Sequence, residues 1–144
     1  MVKAKEFWNF LCEECDYRVF SGVACKGLSN LYKTMSPEFM HYVPAANERI
    51  ALGILSGACI GGFKGGLLMD MCFKDNIATL LEFTIDYKIP FLVIGYGTKD
   101  DKLMYDFPST YISDDNFKNK IKKVIKKSET DLVPGLVVIG EGVL

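Results

Sequence analysis

The sequence predicts an α/β fold: a three-layer sandwich with helices on both faces of a mostly parallel sheet of roughly six strands. Three observations predict it. Segments with helical spacing of apolar residues alternate with short apolar segments along the 144-residue chain, and such alternation builds a parallel sheet wrapped on both sides. The segment "GGLLMDM" is short and apolar throughout, as expected of a strand whose two faces are both covered. With 49% hydrophobic and 24% charged residues, the chain is long enough for one domain with a real core, so residues 1–144 read as a single domain.

The elements follow in order. "AKEFWNFLCEEC" has helical spacing, with Phe7, Phe10 and Leu11 on one side. "YRVFSGV" reads as a short strand ending at Gly22, and "GLSNLYKTM" as a second helix. "FMHYVPAA" is a strand stopped by Pro44, because proline cannot donate to a sheet ladder. Asn47 is a good N-cap for a helix running to about Ile60, which Gly61 and Gly62 end. "GGLLMDM" follows as a strand. "NIATLLEFTIDYK" is a helix with Ile77, Leu80, Leu81 and Ile85 on one face. "IPFLVIGYG" is the clearest strand. A loop leads from it to the basic helix "FKNKIKKVIKK", and "GLVVIGEGV" is the last strand.

Several function classes find no support. A net charge of -1 calls for no nucleic acid or anionic membrane. In the lysine-rich run Phe117, Ile121, Val124 and Ile125 keep helical spacing, so the lysines form a solvated face. No apolar h-region opens the chain, and no stretch approaches the ~18 uninterrupted apolar residues of a membrane span. Five cysteines without an export signal suggest free thiols in a reducing cytoplasm. Cys12 and Cys15 have metal-pair spacing, but no second pair and only one histidine accompany them, so they read as half-buried thiols at a helix end. His41 reads as structural, and Asp100 to Asp106 as a solvated acidic loop that matches no calcium-loop spacing. "GACIGGFKGG" lacks the lysine and hydroxyl residue of a phosphate loop, and its glycines follow a helix instead of opening one. No metal site is expected in the chain.

In folds of this class ligands sit beyond the carboxyl ends of the strands. The loops expected there are Ser21 to Gly27, Ala45 to Glu48, Met69 to Asn76 and Gly95 to Asp101. Glu48 stands out among them. A first-turn glutamate helps a helix cap by ~0.3–1 kcal/mol, which alone would explain it. Its company suggests more: Ala45, Ala46, Ala51 and Gly53 leave room for a ligand to approach a carboxylate that could share a proton with a ligand nitrogen.

"HYVPAANERIALGILSGACIGGFKGGLLMD" followed by "DNIATLLEFTIDYKIPFLVIGYG" resembles the pyrimidine-binding (Pyr) domain of thiamine-diphosphate enzymes, most of all phosphonopyruvate decarboxylase and the alpha subunit of sulfopyruvate decarboxylase. The resemblance is carried by Asn47, Glu48, Asn76, Ile89 and Pro90, and is clear from Tyr17 to Gly95. It implies the thiamine-diphosphate-binding fold, and that Glu48 hydrogen-bonds a ring nitrogen of the cofactor's aminopyrimidine and so activates it, with Asn47, Cys72, Phe73 and Asn76 around the ring. Cys25, Lys26 and Asp70 would border a small 2-oxo acid substrate.

The resemblance also implies a missing half. Diphosphate and magnesium are held in that family by a second (PP) domain carrying Gly-Asp-Gly, which this chain lacks. The expectation is therefore a split, hetero-oligomeric 2-oxo acid decarboxylase or carboligase in the cytoplasm, inactive without a PP-domain subunit that holds the Mg2+. Where the family commonly has Gln-Asn-Ser-Gly-Leu-Gly-Asn, this chain runs from Asp70 through Met71, Cys72, Phe73, Lys74 and Asp75 to Asn76. That rebuilt turn favours a second reading: an α/β assembly or regulatory partner that keeps the fold without catalysis.

Overall fold

The computed structural model describes residues 2–144. Six strands, β1 (Tyr17–Gly22), β2 (His41–Pro44), β3 (Lys64–Asp70), β4 (Leu92–Tyr96), β5 (Ser109–Ile112) and β6 (Gly135–Ile139), form one sheet in the order β2-β1-β3-β4-β6-β5. Every pairing is parallel. The helices are α1 (Ala4–Asn9), α2 (Ser29–Lys33), α3 (Glu48–Ile60), α4 (Ala78–Asp86) and α5 (Phe117–Asp131).

Alternation along the central strands divides the core into two layers, because successive side chains leave a strand on opposite faces. Leu68, Leu92, Ile94, Val137 and Ile139 pack with Trp8, Phe10, Leu31 and Phe117 on the face that carries α1, α2 and α5. Leu67, Met69, Val93, Leu136 and Val138 pack with Leu52, Leu55 and Leu81 on the face that carries α3 and α4. This is the expected three-layer sandwich.

β5 corrects the sequence reading, which passes from the "IPFLVIGYG" strand to the basic helix through a loop. β5 has four residues, of which only Ile112 is buried, and pairs with β6 alone. So short an edge strand leaves almost no apolar period to read. The first helix is also shorter than its pattern. α1 stops at Asn9 and the chain widens into a π turn over Phe10–Glu14, with the Cys15 N–H bonding the Phe10 carbonyl at 3.1 Å. The wider turn keeps Phe10, Leu11 and Cys12 in the core. His41 opens β2 instead of lying within it, and is exposed.

The predicted ends of α3 are met. The Asn47 side chain accepts the Ile50 N–H at 3.0 Å, as an N-cap should. At the other end Gly62 takes φ of 93°, its N–H bonds Cys59 O, and the Phe63 N–H bonds Ala58 O. That pair of bonds is a Schellman stop, which needs a left-handed residue. On α5, Phe117, Ile121, Val124 and Ile125 are buried, while Lys118 and Lys122 pair with Glu14 on the surface.

Candidate functional site at the carboxyl edge of the sheet

β1 and β3 are neighbours, yet their chains leave in opposite directions. After Gly22 the chain turns to the α2 face, where Leu28 and Leu31 are buried; after Asp70 it turns to the α3–α4 face, where Met71, Ile77 and Leu81 are buried. Adjacent strands with divergent exits leave a crevice between them, the general ligand position in open α/β sheets. Of the expected loops, those after β1 and β3 border this crevice directly.

Glu48 reaches the crevice from the end of β2. Pro44 is in register with Gly22, and the Ala45 N–H bonds the Gly22 carbonyl at 3.0 Å. This seats the start of α3 beside the β1 terminus. Ala51, Leu52 and Leu55 then bury one face of α3 against the sheet, and the first-turn Glu48 goes in with them, only 5% exposed. Among the described residues its carboxylate has one hydrogen-bonding side chain, Asn76, whose Nδ2 donates to Oε2 at 3.3 Å. No described lysine or arginine forms an ion pair with it. A buried acid supported by one neutral amide is a costly arrangement for stability alone.

The glycine-free turn is held by its first residue. Asp70 Oδ1 accepts the Cys72 N–H at 3.0 Å, and the chain continues as a 3-10 helix from Met71 to Ile77. The Asp70 carboxylate beside it pushes the Cys72 thiol above its ordinary range. Burial likewise pushes the Cys25 thiol up. Cys72 lies within electrostatic range of Asp70, Glu48 and Cys25. Asn47 serves as the α3 cap. Phe73 is 49% exposed, and Lys26 projects into solvent from the loop after β1. Asp100 is exposed, while Asp101 accepts the Thr98 N–H at 2.7 Å and pairs with Lys74, giving that loop its shape.

Three tyrosines that carry no sequence signal shape the same edge. Tyr32 OH donates to Val23 O at 2.9 Å and Tyr42 OH to Gly22 O at 3.2 Å, pinning the exit of β1. Burial raises both phenols, so both keep the protons they donate. Tyr96, at the end of β4, lays its ring against Gly27: a Cβ there would stand 2.3 Å from ring carbons. Only pairing and packing bring these residues together.

Beyond Glu48 the outer side of α3 is uncovered. A groove of about 320 Å³ between α3 and α4 is lined by Leu52, Gly53, Ser56, Gly57, Ile60, Leu80 and Phe83. Ile50, Ile60, Phe63, Phe83 and Tyr87 around it are each 40–68% exposed. No described group of three or more His, Cys, Asp or Glu side chains could hold a metal ion, and no described helix is long and apolar enough to cross a membrane.

Together these features define the class: a six-stranded, all-parallel, three-layer α/β domain. No known family model matches the chain, and no curated protein matches it. Among solved structures it is similar to 2-oxoglutarate:ferredoxin oxidoreductase from Magnetococcus marinus, whose structure has 2-oxoglutarate, coenzyme A and succinyl-CoA bound; the TM-score is 0.71 at 14% identity. The match covers 99% of this chain but 29% of that one. At this identity the likeness is one of fold.

Proposed function

We propose that this chain is the Pyr-domain subunit of a split thiamine-diphosphate-dependent 2-oxo acid decarboxylase or carboligase, working in the cytoplasm. The observation that carries the reading is Glu48: a buried carboxylate that pairs with no cation among the described residues, at the start of α3 and next to the ligand crevice. An acid so placed suits a weakly basic ring nitrogen, which can share its proton. The residues present fit the pyrimidine half of the cofactor. Glu48 would hold the ring nitrogen, with Asn47, Cys72, Phe73 and Asn76 around it, and Cys25, Lys26 and Asp70 would border the substrate. When bound, thiamine diphosphate supplies a thiazolium that accepts the electrons released as a 2-oxo acid loses carbon dioxide. This chain's part is to bind and orient the pyrimidine and to hold a proton at the Glu48 carboxylate.

Diphosphate and Mg2+ fall to a partner on this reading, because the chain has no Gly-Asp-Gly. Two observations support a completing partner: the uncovered apolar face of α3 and α4, and a fold match spanning only 29% of a larger chain. The rebuilt turn, which favours a silent assembly partner, still delivers Asn76 to Glu48, so the enzymatic reading is preferred.

The test is co-expression with a chain carrying Gly-Asp-Gly and a downstream Asn, then assay with thiamine diphosphate, Mg2+ and a panel of 2-oxo acids. Turnover is expected only from the pair. Turnover that survived Glu48→Gln unchanged would overturn the role given to Glu48.

A further inference from the structure

We infer that Asn76 acts as a positioning residue: it fixes the Glu48 carboxylate and does so because an Asp70-capped turn delivers it. The inference rests on the reading of Glu48 as the ligand-facing acid and adds a role distinct from contact with the ligand.

A glutamate side chain has three rotatable bonds, so burial of its stem alone does not orient its two oxygens. Asn76 Nδ2 donates to Oε2 at 3.3 Å, which restricts the carboxylate's rotation and leaves Oε1 without a described hydrogen bond. The donor is neutral. A lysine or arginine at the same place would hold the carboxylate equally well but would pair its charge and lower its pull on a ligand proton. The bond joins residues 28 apart in the chain, one in the first turn of α3 and the other at the end of the 3-10 helix after β3. Its placement therefore depends on how that helix leaves the strand. The Asp70 Oδ1 to Cys72 N–H bond of 3.0 Å sets this, doing in side-chain chemistry what turn glycines do through backbone freedom. One line of contact thus runs from Asp70 through the turn to Asn76 and on to Glu48.

The test uses the whole chain and side-chain amide NMR. Glu48→Gln should shift the Asn76 Nδ2 pair more than that of any other asparagine, and Asp70→Ala should move the pair toward free-amide positions. Asn76→Asp removes the donor while keeping the shape. The exchanged double variant Glu48→Gln with Asn76→Asp restores an amide-to-carboxylate bond with the roles reversed. Its melting temperature should return to the wild-type level. With millimolar thiamine as the probe, Asn76→Ala should weaken binding roughly fivefold, the equivalent of one ordinary hydrogen bond, and the exchanged variant should not recover it. An Asn76 amide indifferent to Glu48→Gln would overturn the inference. So would an exchanged variant that regains thiamine binding along with stability, since binding would then need the bond but not a carboxylate at position 48. If thiamine moves no resonance of the wild-type chain, the thiamine reading fails, and the amide result alone decides the positioning role.

Discussion

Asn76 Nδ2 donates to Glu48 Oε2 over 3.3 Å, and it is the only described side chain that hydrogen-bonds this buried carboxylate. Two opposed terms bear on the stability of that acid. The N-terminus of α3 favours a negative group by ~0.3–1 kcal/mol. Keeping a poorly partnered polar group from water costs ~1–3 kcal/mol, so burial is the larger effect.

Glu48→Gln should therefore stabilise the chain, by about 1 kcal/mol, while abolishing the turnover proposed for the assembled pair. Urea unfolding of the isolated chain measures the first effect. A variant destabilised by a similar amount would mean that Glu48 is kept for the fold.

The uncovered side of α3 gives a second expectation. A Cβ added at Gly53 or Gly57 would meet nothing within 4 Å, and glycine inside a helix costs ~1 kcal/mol relative to alanine. Gly53→Ala and Gly57→Ala should each raise the midpoint of thermal unfolding of the isolated chain. A fall would show that the chain's own packing needs these glycines.

Gly27 behaves in the opposite way. Its missing Cβ makes room for the Tyr96 ring, whose carbons would stand 2.3 Å from an added Cβ, and forcing atoms into such a contact costs about 1–3 kcal/mol. Gly27→Ala should lose that much in denaturant unfolding, and most of the loss should vanish in a Tyr96→Ala background. An undiminished loss there would place the strain elsewhere than the ring.

Alkaline stability should turn on Cys12. Burial pushes its thiol from the ordinary 9.0 to about 11. A folded value raised in this way favours the protonated fold, so the stability it contributes is whole below about pH 9 and is lost as pH rises toward 11. Tyr17, raised by burial as well, adds to the same trend. Unfolding free energy should be level from pH 7 to 9 and then decline. Cys12→Val, which keeps an apolar side chain there, should flatten part of the decline; an unchanged slope would assign it to the tyrosines.

Much of the site was legible locally. The Asn47 cap, the first-turn place of Glu48 and the stop at Gly62 act within one helical turn, so a short run of sequence specifies them. The π turn at Phe10 was not legible, because the apolar period runs on through Cys12 and only packing against the sheet and Phe117 widens the helix. Asp70 offered only its charge to the eye; its use as a cap depends on the backbone that follows it.

The sequence by itself determined the layers, the parallel sheet and the carboxylate at the head of α3, because periodicity and capping are properties of neighbouring residues. The tertiary structure alone decided the strand order, the crevice between β1 and β3, the addition of β5, the burial of Glu48 and its meeting with Asn76. Each of these depends on which distant segments pair and which faces they cover, and no local period encodes that choice.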